Sequence, residues 1–212
     1  MTNKTSIFSR SDIQMMSKSS LYQGFFELNQ YQFKHKLYAG GWSDTVTREV
    51  FERGHAVVVL PYDQKTDQVV LIEQIRLPAA ETTEHPWLLE LVAGMIEPNE
   101  SIEDVAEREL YEEAGLKAKS LHKINSYLAS PGGCTERFYF FWADVDASKA
   151  KGLHGLASEH EDIRLQVMSR IDAYNLVVSG DIENASTVLG LQWLQLNYQQ
   201  LMAKKCDESE KK

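Results

Sequence analysis

Short apolar runs bounded by turn residues dominate the chain as far as residue 93, and helix-type stripes appear beyond it. Residues 56–62, AVVVLPY, form a continuous apolar run that stops at the turn 63–67, and residues 69–76 resume it. Such a pair predicts the two strands of a central hairpin. Glu73 and Arg76 are polar positions at its far end, which makes them either the rim of a site or a solvated strand end. Residues 21–40 alternate less strictly, with Phe26, Leu28, Tyr31 and Phe33 apolar, and predict two antiparallel strands joined around Asn29 and Gln30. A third strand is predicted over residues 45–53, after the turn 40–44. Residues 1–20 have little periodicity and read as a loosely held arm. A small meander cannot bury its own aromatic side chains. It packs either on its own domain or on a second copy of the chain, and the pattern does not choose between the two.

Residues 87–93 predict a largely apolar strand, which follows a loop at 78–86 and leads into the turn-forming stretch 94–100 with Gly94, Pro98 and Asn99. Ser101, with Asp104 three residues on, opens a helix, and Gly115 is placed to end it. At about 100° per residue, Ile102, Val105, Ala106 and Leu110 form one apolar stripe. Glu109 and Glu113 fall inside that stripe and Glu112 at its edge. Burying a carboxylate without compensation is costly, so this face must meet positive charge or turn to solvent. The positive charge is either a Lys or Arg from a neighbouring element or a hard divalent cation, which prefers oxygen ligands.

Downstream, residues 123–127 lead into LASPGGCTE, where the PGG turn lets backbone N–H groups approach a ligand closely. RFYFFWADV, residues 137–145, is strongly β-prone. Residues 147–162 have no regular period and carry Glu159, Glu161 and Asp162, either a solvated acidic loop or part of a site. A strand follows over residues 163–168. Ser169 and Asp172 then open a helix ending near Gly180, and a last helix over residues 185–202 has Val188, Leu191, Trp193, Leu194, Leu196 and Leu201 as its core positions. CDESEKK closes the chain as a solvated tail.

Composition narrows the function classes. The 212 residues suit one domain with an additional small element, at 43% hydrophobic and 25% charged residues. The net charge of −9 and the lack of any Lys/Arg cluster disfavour DNA or RNA as a partner. Cys134 and Cys206 supply neither a disulfide framework nor metal-ligand spacing and read as free thiols. No run approaches the ~18 apolar residues of a membrane span, and residues 1–20 lack the apolar core of a signal peptide. The expected location is cytoplasmic.

The stretch GMIEPNESIEDVAERELYEEAGL, Gly94 to Leu116, resembles the Nudix box at every defined position: Gly94, Glu100, Arg108, Glu109, Leu110, Glu112, Glu113, Gly115 and Leu116. The Nudix hydrolase superfamily cleaves a nucleoside diphosphate linked to another moiety, using Mg²⁺ or Mn²⁺ held by box glutamates. The resemblance implies an α+β Nudix fold, an α/β/α sandwich around a mixed β-sheet, with a small N-terminal antiparallel β-sheet element. Residues 1–53 would be the arm and N-terminal strands, exchanged in a homodimer, residues 54–203 the Nudix domain and residues 204–212 the tail.

Outside the box the chain is similar to the bacterial ADP-ribose pyrophosphatases of that superfamily. The likeness lies in GFF (24–26), REVFERGHA (48–56), LIEQIR (71–76), PWLLELVAGMIE (86–97), LASPGG (128–133) and HGLASEHEDIR (154–164). Pro131, 15 positions past Leu116 and followed by glycine, is part of that pattern. Carried over by position, the resemblance implies metal ligation by the Ala93 carbonyl, Glu109, Glu113 and Glu161. Glu159 would be the general base, with Glu112 a further catalytic candidate on the metal face. Phe25, Phe26, Arg48, Glu49, Arg53, Arg76, Met95, Ser130, Pro131, Gly132 and Glu136 would contact substrate, some across the dimer. From the residues alone, Phe25 and Phe26 are equally well core aromatics.

The expected reaction is Mg²⁺-dependent hydrolysis of ADP-ribose to AMP and ribose 5-phosphate. The same machinery on another ADP-sugar or nucleoside diphosphate derivative is the alternative. A binding module without catalysis would carry eroded box glutamates, and all of them are present here.

Overall fold

In the computed structural model, residues 6–209 are described, with side chains as far as residue 203. Two compact units emerge. One comprises the residues up to His55 together with Leu128–Arg137, the other Ala56–Tyr127 and the chain from Phe138 onward.

The larger unit is built on strand β4 (Ala56–Asp63), every residue of which is buried. Strand side chains alternate between faces, so a continuous apolar run needs cover on both sides. Val57 and Val59 face one core, Val58, Leu60 and Tyr62 the other. β5 (Gln68–Ile75) divides likewise, with Val70 and Ile72 on the first face and Val69 and Leu71 on the second. The first face is covered by α1 (Ile102–Ala114) through Val105, Ala106, Leu110 and Ala114. The second is covered by α2 (Arg170–Ser179) and α3 (Ala185–Ser209) through Ala173, Leu191 and Leu194. Burying a leucine such as Leu110 contributes roughly 1.5–3 kcal/mol. This is the expected α/β/α sandwich.

The sheet has the order β10, β11, β5, β4, β9, β8, where β8 is Ser120–Leu128, β9 Arg137–Asp144, β10 Leu153–His154 and β11 Ile163–Ser169. β4 and β9 run parallel while β4 and β5 are antiparallel, so the sheet is mixed. β4 and β5 pair only beside their turn, at Tyr62 with Val69 and Asp63 with Gln68. Beyond it, β6 (Trp87–Glu90) pairs with β5 and β7 (Val92–Met95) with β4. The single strand expected over residues 87–93 is therefore two. They break at Leu91, whose N–H donates to Thr187 Oγ1 at 2.9 Å in place of a ladder bond.

The smaller unit holds a three-stranded antiparallel sheet of β1 (Ile13–Gln23), β2 (Glu27–His35) and β3 (Val46–Glu52). Two expectations are corrected here. Residues 13–20 belong to a strand and not to an arm, and β1 and β2 join at residues 24–26, so that Asn29 and Gln30 lie inside β2. The pattern hid β1 for a physical reason. Irregularities at Met15/Ser17 and Ser20/Tyr22 break its period of two, and all eleven of its residues are exposed, so burial imposes no alternation. Residues 1–5 of the expected arm and the Cys206 thiol lie outside the described residues and side chains. The last helix continues to Ser209, past its expected end at 202 and into the stretch read as a tail, while residues 210–212 lie outside the described residues.

Candidate active site

Strand β7, a loop and α1 follow one another without interruption, and this is the local frame of the site. Ser101 caps α1, its hydroxyl accepting from Asp104 N–H at 3.1 Å and donating to Asp104 Oδ2 at 2.6 Å. An N-cap of this kind contributes about 1 kcal/mol. Gly115 ends the helix in the left-handed conformation, φ 63°, where other residues are strained.

The glutamates that interrupt the apolar stripe are indeed buried, at 9% exposure for Glu109 and 2% for Glu113, while Glu112 is half-buried. The positive charge that meets Glu109 and Glu112 comes from Arg108 of the same helix. Its guanidinium donates from Nε to Glu100 Oε1 at 3.0 Å, from Nη1 to Glu109 Oε1 at 2.7 Å and Glu112 Oε2 at 3.0 Å, and from Nη2 to Glu100 Oε2 at 3.1 Å and Met95 O at 3.4 Å. Those five bonds match the donor capacity of a guanidinium. Glu113 is different: its Oε2 accepts the N–H of Ala93 at 2.9 Å, and burial pushes its carboxyl well above the ordinary range, with Glu109 and Glu161 adding to the rise. Burial also pushes Glu109 up to about 7, against the pull of Arg108.

Of the other acidic candidates, Glu161 is half-buried and its Oε2 accepts the Leu156 N–H at 3.0 Å. Glu159 is exposed in the short turn Ala157–Glu159 of the same loop. Gly155 N–H donates to the Glu112 carbonyl at 3.2 Å, which ties this loop to the last turn of α1. Arg76, at the end of β5, is held by Glu90 at 2.8 Å. Its charge is strengthened by Glu90, Glu113 and Glu161, which together outweigh its desolvation. Arg76 therefore shares the electrostatic neighbourhood of the acidic face.

In the smaller unit the structure brings Phe26, Arg53 and Glu136 together. Phe26 packs edge-on against Phe25 and Phe51, at centroid distances of 4.7 and 5.2 Å, and the Arg53 guanidinium lies 5.2 Å from its centroid. Arg53 Nε stands 3.3 Å from Glu136 Oε1, and burial pushes the Glu136 carboxyl up, opposed by Arg53 and His55. Phe26 is thus packed, while Phe25 leaves 86% of its surface exposed. Ser130 O accepts from Gly133 and Cys134 N–H, and Phe51 N–H donates to Gly133 O at 2.8 Å, so the turn with Pro131 and Gly132 is anchored to β3. Arg48 and Glu49 are exposed on β3, opposite Tyr31 and Gln30.

Among the described residues no three acidic, histidine or cysteine side chains are gathered closely enough to enclose an ion by themselves. The donor set still suits a hard divalent cation. It is all oxygen, and Glu113 is a buried carboxylate with a backbone N–H as its hydrogen-bond partner and, among the described residues, no ion pair. Glu90 was missed by the sequence reading. Its signal was present in WLLELVAG, where one carboxylate interrupts an apolar run as Glu109 and Glu113 do in α1.

These features define an α/β/α sandwich whose site is a carboxylate-bearing helix entered from a strand and loop. The chain belongs to the Nudix family, since the NUDIX domain matches residues 44–185. It is 55% identical over 194 residues to the ADP-ribose pyrophosphatase of Escherichia coli strain K12, covering 92% of this chain and 93% of that one. Identity to the ADP-ribose pyrophosphatase of Haemophilus influenzae is 52% over 197 residues, covering 92% and 91% of the two chains. A solved ADP compounds hydrolase superposes with a TM-score of 0.65 at 20% identity, covering 87% of this chain and 95% of that one, which bears on the fold alone.

Proposed function

We propose that this chain hydrolyses the pyrophosphate bond of ADP-ribose to AMP and ribose 5-phosphate in a reaction that depends on Mg²⁺, with Mn²⁺ as a substitute. The observation that carries the reading is the co-occurrence of a complete Nudix box with 55% identity along 92% of the chain to an ADP-ribose pyrophosphatase.

The residues divide the work by chemistry. Glu109, Glu113, Glu161 and the Ala93 carbonyl would hold the cation, which neutralises phosphate charge and polarises the bond to be cleaved. Glu109 carries a bond from Arg108, so that guanidinium and the cation compete for the same oxygens. Glu159 lies exposed on a loop and is the general base of the proposal, taking the proton of the attacking water. Glu112, half-buried on the same helix, is the alternative base. Arg76 adds a fixed positive charge for the pyrophosphate, and Met95 presents its backbone beside the box loop. In the smaller unit, Phe25 and Phe26 offer flat apolar surface to adenine, and Arg53, Glu136, Arg48, Glu49 and the turn of Ser130, Pro131 and Gly132 supply polar contacts.

A homodimer is part of the proposal. Strand β1 carries Ile13, Met15, Met16, Leu21 and Tyr22 at 46–65% exposure, and an exposed apolar edge strand is a pairing surface. A second copy on β1 would cover it and let residues of one protomer complete the site of the other. A cytoplasmic location fits two cysteines without a disulfide framework, and among the described residues no helix is long and apolar enough to cross a membrane.

A panel of ADP-sugars, GDP-sugars and dinucleotides at equal concentration tests the substrate. The expected result is the highest kcat/KM for ADP-ribose, and a higher value for another compound would refute the assignment.

A further inference from the structure

Glu90 is 3% exposed at the end of β6, in register with Ile72 of β5. An ion of this kind persists only when its lone pairs are filled. Oε2 accepts from Arg76 Nε at 3.0 Å and Gln74 Nε2 at 3.2 Å and pairs with Arg76 Nη2 at 2.8 Å, while Oε1 accepts from Asn184 Nδ2 at 2.8 Å. The donors are themselves held. Gln74 is buried. Asn184 Oδ1 accepts from the Thr187 N–H at 3.1 Å and lies 3.0 Å from the Thr187 hydroxyl, the group that receives the Leu91 N–H at the break between β6 and β7. The carboxylate is therefore clamped between the sheet and the start of α3.

The one cation in this network is not buried with it. The Arg76 side chain is 44% exposed. Glu90 Oε2 meets both Nε and Nη2 on one edge of the guanidinium, two contacts that restrain the turning of its plane. Here one partner is anchored and the other is presented, with Glu113 and Glu161 near enough to strengthen its charge.

We propose that Glu90, supported by Gln74 and Asn184, is a positioning residue that orients the Arg76 guanidinium toward the pyrophosphate of the substrate. The inference rests on the reading of Arg76 as a substrate contact. Loss of Glu90 would leave Arg76 charged but free to rotate, and a displacement of about 1 Å in a phosphate contact lowers turnover efficiency on the order of 100-fold.

The test compares Glu90→Gln, Arg76→Ala and the double variant. Glu90→Gln is expected to raise KM for ADP-ribose and lower kcat/KM by roughly 10- to 100-fold. Its Mg²⁺ midpoint should stay at the wild-type value, and the double variant should be no worse than Arg76→Ala. Guanidinium at non-denaturing concentration should restore activity to Arg76→Ala, where Glu90 can hold it, and not to the double variant. Wild-type KM in Glu90→Gln, additive losses in the double variant, or equal rescue with and without Glu90 would each overturn the proposal. Should Glu90→Gln fail to fold, Glu90→Asp keeps the charge while retracting the carboxylate, and the same comparisons decide. A wrong substrate assignment shows in the wild type, which would then prefer another nucleoside diphosphate derivative, and the Glu90 comparison is read on that compound.

Discussion

Glu109 lies so close over Gly94 that a β-carbon built at residue 94 would stand 1.7 Å from its Oε1 and 1.9 Å from its Cδ. The glycine that opens the box is required by the glutamate that ends beside it. Gly94→Ala is expected to fold, because the clash is with the end of a flexible side chain, yet to push the Glu109 carboxylate out of place. Half-activation by Mg²⁺ should need about 10- to 100-fold more metal, the usual effect of disturbing the support of a ligand, with little change in Tm. Unchanged Mg²⁺ dependence would remove Glu109 from the cation's ligands.

Glu113 is buried at 2% exposure with the Ala93 N–H as its hydrogen-bond donor, and among the described residues no cation pairs with it directly. In chelator-treated protein it opposes folding through its desolvation, so Glu113→Gln should raise Tm in EDTA while keeping the Ala93 N–H bond. The same variant should lose the Tm increase that Mg²⁺ gives the wild type, together with orders of magnitude in turnover. Near-normal activity would sink the metal assignment.

Arg170 is the structural counterpart of these site charges. Buried at 6% exposure, it grips both oxygens of Asp67, from Nε at 2.9 Å and Nη2 at 3.0 Å, stacks 3.7 Å from the Tyr198 centroid and bonds Gln195. Tyr62 donates to the same Asp67 at 2.7 Å. The Asp67 side chain is 35% exposed, so removing Arg170 should cost about 1.5–3 kcal/mol, as for charged hydrogen bonds, and less than breaking a fully buried pair. Arg170→Ala should show that loss in urea unfolding, and Arg170→Lys should recover only part of it, since an ammonium cannot make the fork.

Asp63 sets a pH dependence. Burial alone would raise its carboxyl, but backbone N–H groups of Ala147, Lys65 and Thr66 outweigh burial and hold it below the ordinary aspartate value of 3.8. A folded-state pKa below the unfolded one means stability that is present above the unfolded pKa and lost as pH falls through the folded one. Asp63→Asn should therefore be less stable than wild type by a constant amount above about pH 5, on the order of 1–3 kcal/mol, with the gap closing below about pH 4. A gap that widens on acidification would contradict the account.

Much of the sandwich was legible in the chain because its central strands β4 and β5 are buried on both faces. AVVVLPY could hardly be anything but a central strand, and the helix from Ser101 to Gly115 announced both its ends. The box glutamates were legible as violations of an apolar stripe. What supplies their charge was not: the pattern offers a neighbouring element or a metal, whereas Arg108 reaches Glu109 and Glu112 from the same helix. That choice depends on side-chain rotamers, which periodicity does not encode. β1 stayed hidden because its order comes from pairing with β2 and not from burial. Glu90 stayed hidden because its partners Gln74 and Asn184 lie 16 and 94 residues away in sequence.

The central claim is the reaction itself. ADP-ribose incubated with the wild-type chain and Mg²⁺, followed by separation of the products, is expected to give AMP and ribose 5-phosphate in equal amounts, with no turnover in EDTA. An intact ADP-ribose pool, alongside Mg²⁺-dependent cleavage of a different nucleoside diphosphate derivative, would contradict it.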